Sequence, residues 1–297
     1  MPPFLRPLRW LFFLPLLSFT MAADRPAYRL FTAQGQAADY DQMLTELTQA
    51  DVVLFGEQHN DALTHWLELQ VAKDLQKLKK PGQLVLGMEM FERDVQPLVA
   101  QYAAGTLADT AFERQSRPWP NYETDYRPLL QFARASRIPV VGTNAPRPFA
   151  RTVAQGSLKA LDKLPAADRA LLAPLPLKVD YDLPGYKNMA AMFGGSAAHG
   201  GGGAQNIIQA QALKDATMAH FIRGASRQPG QTLLHFNGSY HSDRHDGIVA
   251  YLRQYAPKLH VKTLSVVTQA QLQTLAKENA DVADFVVVVP EDAAKTY

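Results

Sequence analysis

The chain has no cysteine in its 297 residues. That excludes disulfide cross-links, thiolate metal centres, cysteine nucleophiles and lipid attachment through an N-terminal cysteine. It also has little charge of either sign to spare: 30 Lys and Arg against 28 Asp and Glu leave a formal +2. No basic run interleaves with aromatic residues, so no nucleic-acid partner is expected. A His-Glu-x-x-His helix, a Gly-x-Ser-x-Gly elbow and a P-loop are all missing, as is any solenoid-type repeat. What is present is ordinary globular composition, 47% hydrophobic and 20% charged, ample for a large core.

The first residues read as a targeting signal. Arg6 and Arg9 form a basic start, Trp10 to Phe19 a short apolar stretch, and Thr20-Met21-Ala22-Ala23 a small-residue cleavage site near Ala22 or Ala23. The apolar stretch is too short for an ordinary transmembrane helix. Residues 1–23 are therefore expected to be a signal peptide and 24–297 an exported domain. That domain would be periplasmic or otherwise extracytoplasmic, and not a lipoprotein.

Beyond it, apolar runs alternate with helical patterns. Strand-like runs occur at Val52–Phe55, Leu84–Met88, Ile138–Gly142, Thr232–Phe236, Val261–Val267 and Phe285–Val289. Helical spacing covers Thr64–Lys80, Gln96–Ala104, Asp125–Ser136, Gln205–Arg223 and His245–Tyr255. The alternation predicts an α/β fold with a mostly parallel sheet of about six strands flanked by helices. Residues 156–204 break the rhythm with Pro165, Pro174, Pro176, Pro184 and a glycine run at 200–203. They predict a helical insertion that begins with a short helix pair over Ser157–Leu172. The glycine run follows no strand and suits a hinge better than a phosphate cradle.

In a parallel sheet the carboxyl ends of the strands point one way, which is where open α/β sheets place ligands. Glu57 and His59 follow the first run, Glu89 the second, Asn144 the third, and Asn237 and His241 the fourth. Each alone fits a cap or turn role, and Asn144 before Ala-Pro fits an Asx-turn. Met88, Met90 and Phe91 suit the core, and His235 suits a hydrogen-bonded core position. Together, Glu57, His59, Glu89 and His241 could hold a divalent metal with an open position and activate water. Without metal, Glu89 and His241 could be an acid–base pair or part of a structural network.

The insertion carries a second group: Tyr181, Tyr186, Lys187, Met189, Met192, Phe193 and His199. Helical spacing sets Tyr186, Met189, Ala190 and Phe193 along one stripe. Such a stripe packs onto a sheet, or it offers flat apolar walls, a phenol and an imidazole to a porphyrin.

Gly56-Glu57-Gln58-His59-Asn60, Met88-Glu89-Met90-Phe91, Gly142-Thr143-Asn144-Ala145-Pro146 and Phe236-Asn237-Gly238-Ser239-Tyr240-His241-Ser242-Asp243 resemble, in this order, the ChaN family. These are haem-binding uptake proteins grouped with Tiki-like proteins, and the resemblance runs from about Tyr40 to Val289. It implies a carrier for haem and iron uptake in which a tyrosine ligates ferric iron and a histidine supports the propionates. Two haems would stack across a homodimer. On this implication Tyr186 is the iron ligand, with Tyr181 as its rival, and His199 the propionate donor. Met189 and Phe193 would wall the haem, and an outer-membrane haem receptor system would be a partner. A phenolate is a hard ligand that favours ferric iron, which suits haem capture outside the cytoplasm. The Tiki-like kinship also implies an alternative, a metal-dependent hydrolase that uses Glu57, His59, Glu89 and His241.

Overall fold

Alternation within single strands decides how the molecule is layered. The computed structural model describes residues 26–194, 203–226 and 228–297. Along β2 (Val52–Glu57), Val53 and Phe55 enter one apolar cluster while Val52 and Leu54 enter another on the opposite face. Successive side chains of a strand point to opposite faces, so a strand apolar at every position needs cover on both sides. β5 (Thr232–Gly238) is likewise buried throughout.

The other strands are β1 (Arg29–Thr32), β3 (Leu84–Glu92), β4 (Val140–Asn144), β6 (Val261–Gln269) and β7 (Phe285–Pro290). They join one seven-stranded sheet in the order β1-β7-β6-β2-β5-β3-β4. Six strands run parallel, as the alternation predicts, and β1 adds an antiparallel edge against β7. Its four residues are too few for periodicity to announce. The chain moves outward from β2 to β4, then returns to insert β5 between β2 and β3. That reversal places the ends of β2, β5 and β3 side by side.

On one face lie α1 (Tyr40–Thr48), α2 (Ala62–Leu78), α3 (Gln96–Ala103), α4 (Asp109–Gln115) and α5 (Arg127–Ala135). Their core includes Met43, Leu67, Leu75, Tyr102, Phe112 and Tyr126. Further along come α6 (Arg147–Gly156), α7 (Ala166–Arg169), α8 (Pro184–Gly194), α9 (Gly203–Ala225) and α10 (Ile248–Tyr255). Tyr186, Met189, Ala212, Ala216 and Leu252 pack α8, α9 and α10 on the second face. Each fully buried Leu or Phe in these layers contributes roughly 1.5–3 kcal/mol relative to exposure.

The expected helix pair of the insertion is a single 3-10 turn at Leu158–Leu161 followed by α7. Leu161 and Leu172 pack with Val153, Ala210 and Leu213, which ties this part of the insertion to α6 and α9. The targeting segment, His199 and Gly200–Gly202 lie outside the described residues. No described helix is long and apolar enough to cross a membrane.

Candidate functional site

The pairing of β2 with β5 sets Glu57 opposite Gly238. A Cβ on Gly238 would stand 2.6 Å from His59 Nε2, so glycine is what allows the His59 ring to fold over the end of β5. His59 Nδ1 lies 2.5 Å from Glu57 Oε1, and the Tyr126 hydroxyl donates to the same oxygen at 2.7 Å. Trp119 meets the His59 ring edge-on, with centroids 5.0 Å apart. Glu89 arrives from β3. Its Oε2 accepts the Gly238 N–H at 2.8 Å, and its Oε1 lies 3.2 Å from His241 Nε2. His241 Nδ1 in turn meets Asp215 of α9, whose other oxygen accepts the Tyr186 hydroxyl at 2.7 Å. One polar chain therefore runs from α8 through α9 to the strand ends.

Electrostatics separates these groups. Burial pushes the Glu89 carboxyl up, but His241, His59 and the Gly238 N–H together hold it well below the usual range. Burial pushes His241 down, and Glu89 and Asp215 more than reverse that, leaving it well above an ordinary imidazole. Each charge therefore favours the other, a carboxylate beside an imidazolium that keeps its proton firmly. Burial lowers His59, and its hydrogen bond with Glu57 turns the net shift upward. Glu57 itself is pushed up by burial and by neighbouring Glu68. A cleft of about 290 Å³ opens on this group, lined by Glu57, His59, Gln211, Gly238, Tyr240 and His241 among others.

Glu57, His59, Glu89 and His241 are thus brought together. Asn237 supports them from beneath. Its amide nitrogen donates to Gly238 O and Ser242 Oγ, both at 3.0 Å, and fixes the turn that carries His241. Asn144 is buried at the end of β4, and its side-chain oxygen has no hydrogen-bond partner among the described residues. The closest gathering of donor atoms differs from the expected quartet. Among the described residues it is Glu57, His65 and Glu68, whose ligand atoms all lie within 4.8 Å of one another. In the quartet, Glu89 and Asp215 take both nitrogens of His241, and Glu57 takes Nδ1 of His59.

The stripe predicted in the insertion divides between core and surface. Tyr186 is 3% exposed and Met189 9%, whereas Phe193 is 39% exposed and Met192 71%. Burial and Asp215 drive the Tyr186 phenol far above its ordinary range, so in this conformation it is a core hydroxyl and offers no phenolate to a ligand outside. Tyr181 is 39% exposed, and its hydroxyl accepts from Gln209 Nε2 at 2.9 Å. Tyr240 is also exposed, and its hydroxyl donates to Gly185 O at the start of α8.

Fold and strand-end group together define an α/β protein whose mostly parallel sheet gathers acidic and imidazole groups at the carboxyl ends of its strands. Residues 43–252 match the family of haem-binding uptake proteins of the Tiki superfamily, ChaN, and the chain belongs to that family. A solved structure of Campylobacter jejuni ChaN, described as binding haem cofacially, is similar at a TM-score of 0.67 and 15% identity. The match covers 88% of this chain and 96% of that one. A Bacillus cereus protein is similar at a TM-score of 0.50 and 12% identity, over 85% of this chain and 92% of that one. At these identities the likeness is one of fold. The RETICULATA-RELATED 5 protein of Arabidopsis thaliana is 25% identical over 271 residues, 83% of this chain. The chain spans 35% of that relative's length.

Proposed function

We propose that this chain is an extracytoplasmic haem-binding protein of haem and iron uptake, with haem seated against α8. The observation that carries this reading is where apolar surface stays exposed. Of the seven large hydrophobic residues exposed among the described ones, Met192 and Phe193 lie on α8, Tyr181 just precedes it and Tyr240 bonds to it. Exposed apolar residues gathered at one place mark a binding surface, and flat walls with one phenol suit a porphyrin. The C. jejuni relative, described as binding haem, supports the same reading.

Tyr181 is the iron ligand in this proposal. Its phenol is accessible and, among the described residues, holds one hydrogen bond, from Gln209. Tyr186 would first have to leave the core and Asp215. When bound, the haem would supply a ferric centre that takes a hard anionic oxygen. A second copy of the chain, closing over the same platform, would complete a haem-bridged dimer.

Hemin titration of the full chain tests the assignment. Wild type is expected to give a high-spin ferric phenolate spectrum. Tyr181→Phe should abolish it and weaken binding at least tenfold, about 1.4 kcal/mol. Tyr186→Phe should keep it. The converse pattern would move the ligand to Tyr186, and two unchanged spectra would end the phenolate model.

The cleft lined by Glu57, His59 and His241, with Glu89 bonded behind His241, supports a second reading, a metal-dependent hydrolase, because two carboxyl groups and two imidazoles that would ligate an ion once deprotonated gather there. Bound metal measured after purification separates the two. Stoichiometric metal lost in His59→Ala, without hemin binding, favours the hydrolase. Hemin binding that survives His59→Ala favours the carrier.

A further inference from the structure

Directly behind His59 lies a second polar group, which shares Glu57 with the strand-end cluster and adds His65 and Glu68, residues that neither reading uses. Glu57 is 2% exposed, His65 6% and Glu68 1%. Glu57 comes from the end of β2, and His65 and Glu68 come from the first turns of α2, three residues apart and so on one helix face. One oxygen of Glu57 is taken by His59 and Tyr126, and one oxygen of Glu68 lies 2.9 Å from His65 Nδ1. The remaining oxygens, Glu57 Oε2 and Glu68 Oε1, are buried and meet no hydrogen-bond donor among the described residues. Two buried carboxyl groups with unpartnered oxygens need a proton or a cation between them.

We propose that Glu57, His65 and Glu68 bind a divalent first-row metal ion, of the zinc or manganese class, at a buried site distinct from the cleft cluster of His59, Glu89 and His241. Three observations favour a cation over a shared proton. A proton shared by the Glu57 and Glu68 carboxyls would join those two alone, whereas an imidazole nitrogen converges with them within 4.8 Å and offers a third ligand. Three ligands held at about 2.1 Å around one ion lie roughly 3.4–3.6 Å apart, so the widest pair would draw in by up to about 1.4 Å, a side-chain rotation's worth of movement. Finally, the shell around His65 is already complete. Its Nε2 faces the His59 carbonyl oxygen at 3.1 Å and Asp125 at 3.4 Å. Asp125 is itself held by Asn121 at 2.6 Å and Thr296 at 2.8 Å. A metal-bound histidine characteristically directs its other nitrogen at a carboxylate or carbonyl in this way. The ion would replace the hydrogen between His65 Nδ1 and Glu68, and that proton would leave to solvent. Two carboxylate oxygens and one imidazole nitrogen suit zinc or manganese.

The test uses the full chain, stripped with EDTA and titrated with zinc chloride or manganese chloride. One equivalent is expected to bind and survive dialysis. Glu68→Gln should weaken binding by about 100-fold or more, at least the cost of losing a supporting partner. Glu89→Gln should leave binding within about threefold of wild type. X-ray absorption of the loaded wild type, which needs no variant to fold, should show a single imidazole among oxygen ligands. Failure to bind either ion, binding that survives Glu68→Gln, loss in Glu89→Gln or a shell with two imidazoles would each overturn the proposal.

Discussion

His235, in the middle of β5, is a fully buried imidazole whose two nitrogens have different partners. Nδ1 donates to Asn237 Oδ1 at 3.0 Å and Nε2 accepts from Thr143 Oγ1 at 2.7 Å, which fixes one neutral tautomer. Burial pulls its pKa down to about 4, against the opposing pull of Asn237. A depressed histidine contributes stability above its unfolded pKa near 6.5 and loses it as pH falls towards the folded value. Denaturant unfolding of wild type and His235→Gln should therefore converge on acidification. The stability difference between them should fall by about 2 kcal/mol between pH 7 and pH 4.5. Single residues also mark how far the sequence could be read. Glu57, His59, Glu89 and His241 were legible because strand ends in a parallel sheet share a direction. Asp215 and Glu68 were not, because a carboxylate inside a helical pattern looks like part of a solvated face until its neighbours are known. Tyr186 was legible as part of a stripe, but periodicity does not say which edge of a stripe turns inward.

Among the elements, α2 links the site to the rest of the fold. Its N-cap Asp61 is fully buried and accepts from both the backbone N–H and the hydroxyl of Thr64, at 2.9 and 3.0 Å. Its second oxygen accepts from Lys295 at 3.1 Å. Asp61→Ala should cost about 2 kcal/mol in thermal or denaturant unfolding, the upper end for a cap, because burial leaves the orphaned donors no water. A loss below about 0.5 kcal/mol would mean that the helix starts without its cap. The helix itself was visible from apolar spacing. α4 and α6 were not, because α4 buries only Phe112 and α6 only Ala150 and Val153, too thin an apolar stripe for a period to show.

For the molecule as a whole, the sheet and its two covering layers follow from strand runs and helical periods alone. The antiparallel edge and the division of the insertion depend on contacts far apart in sequence. The platform at α8 gives a prediction at this scale. Light scattering should report a monomer without hemin and a dimer with it, at one hemin per chain. A hemin complex that stays monomeric would leave the carrier reading intact and remove the second copy from it. The platform and the cleft are also mechanically joined, through the Tyr186 phenol, the Asp215 carboxylate and the His241–Glu89 pair. Any displacement of α8 that draws the phenol off Asp215 leaves that carboxylate to His241 alone, and the imidazolium then binds its proton more tightly. By linkage, the proton affinity at the strand ends reports the position of α8, and occupancy of the platform is thermodynamically felt at the cleft.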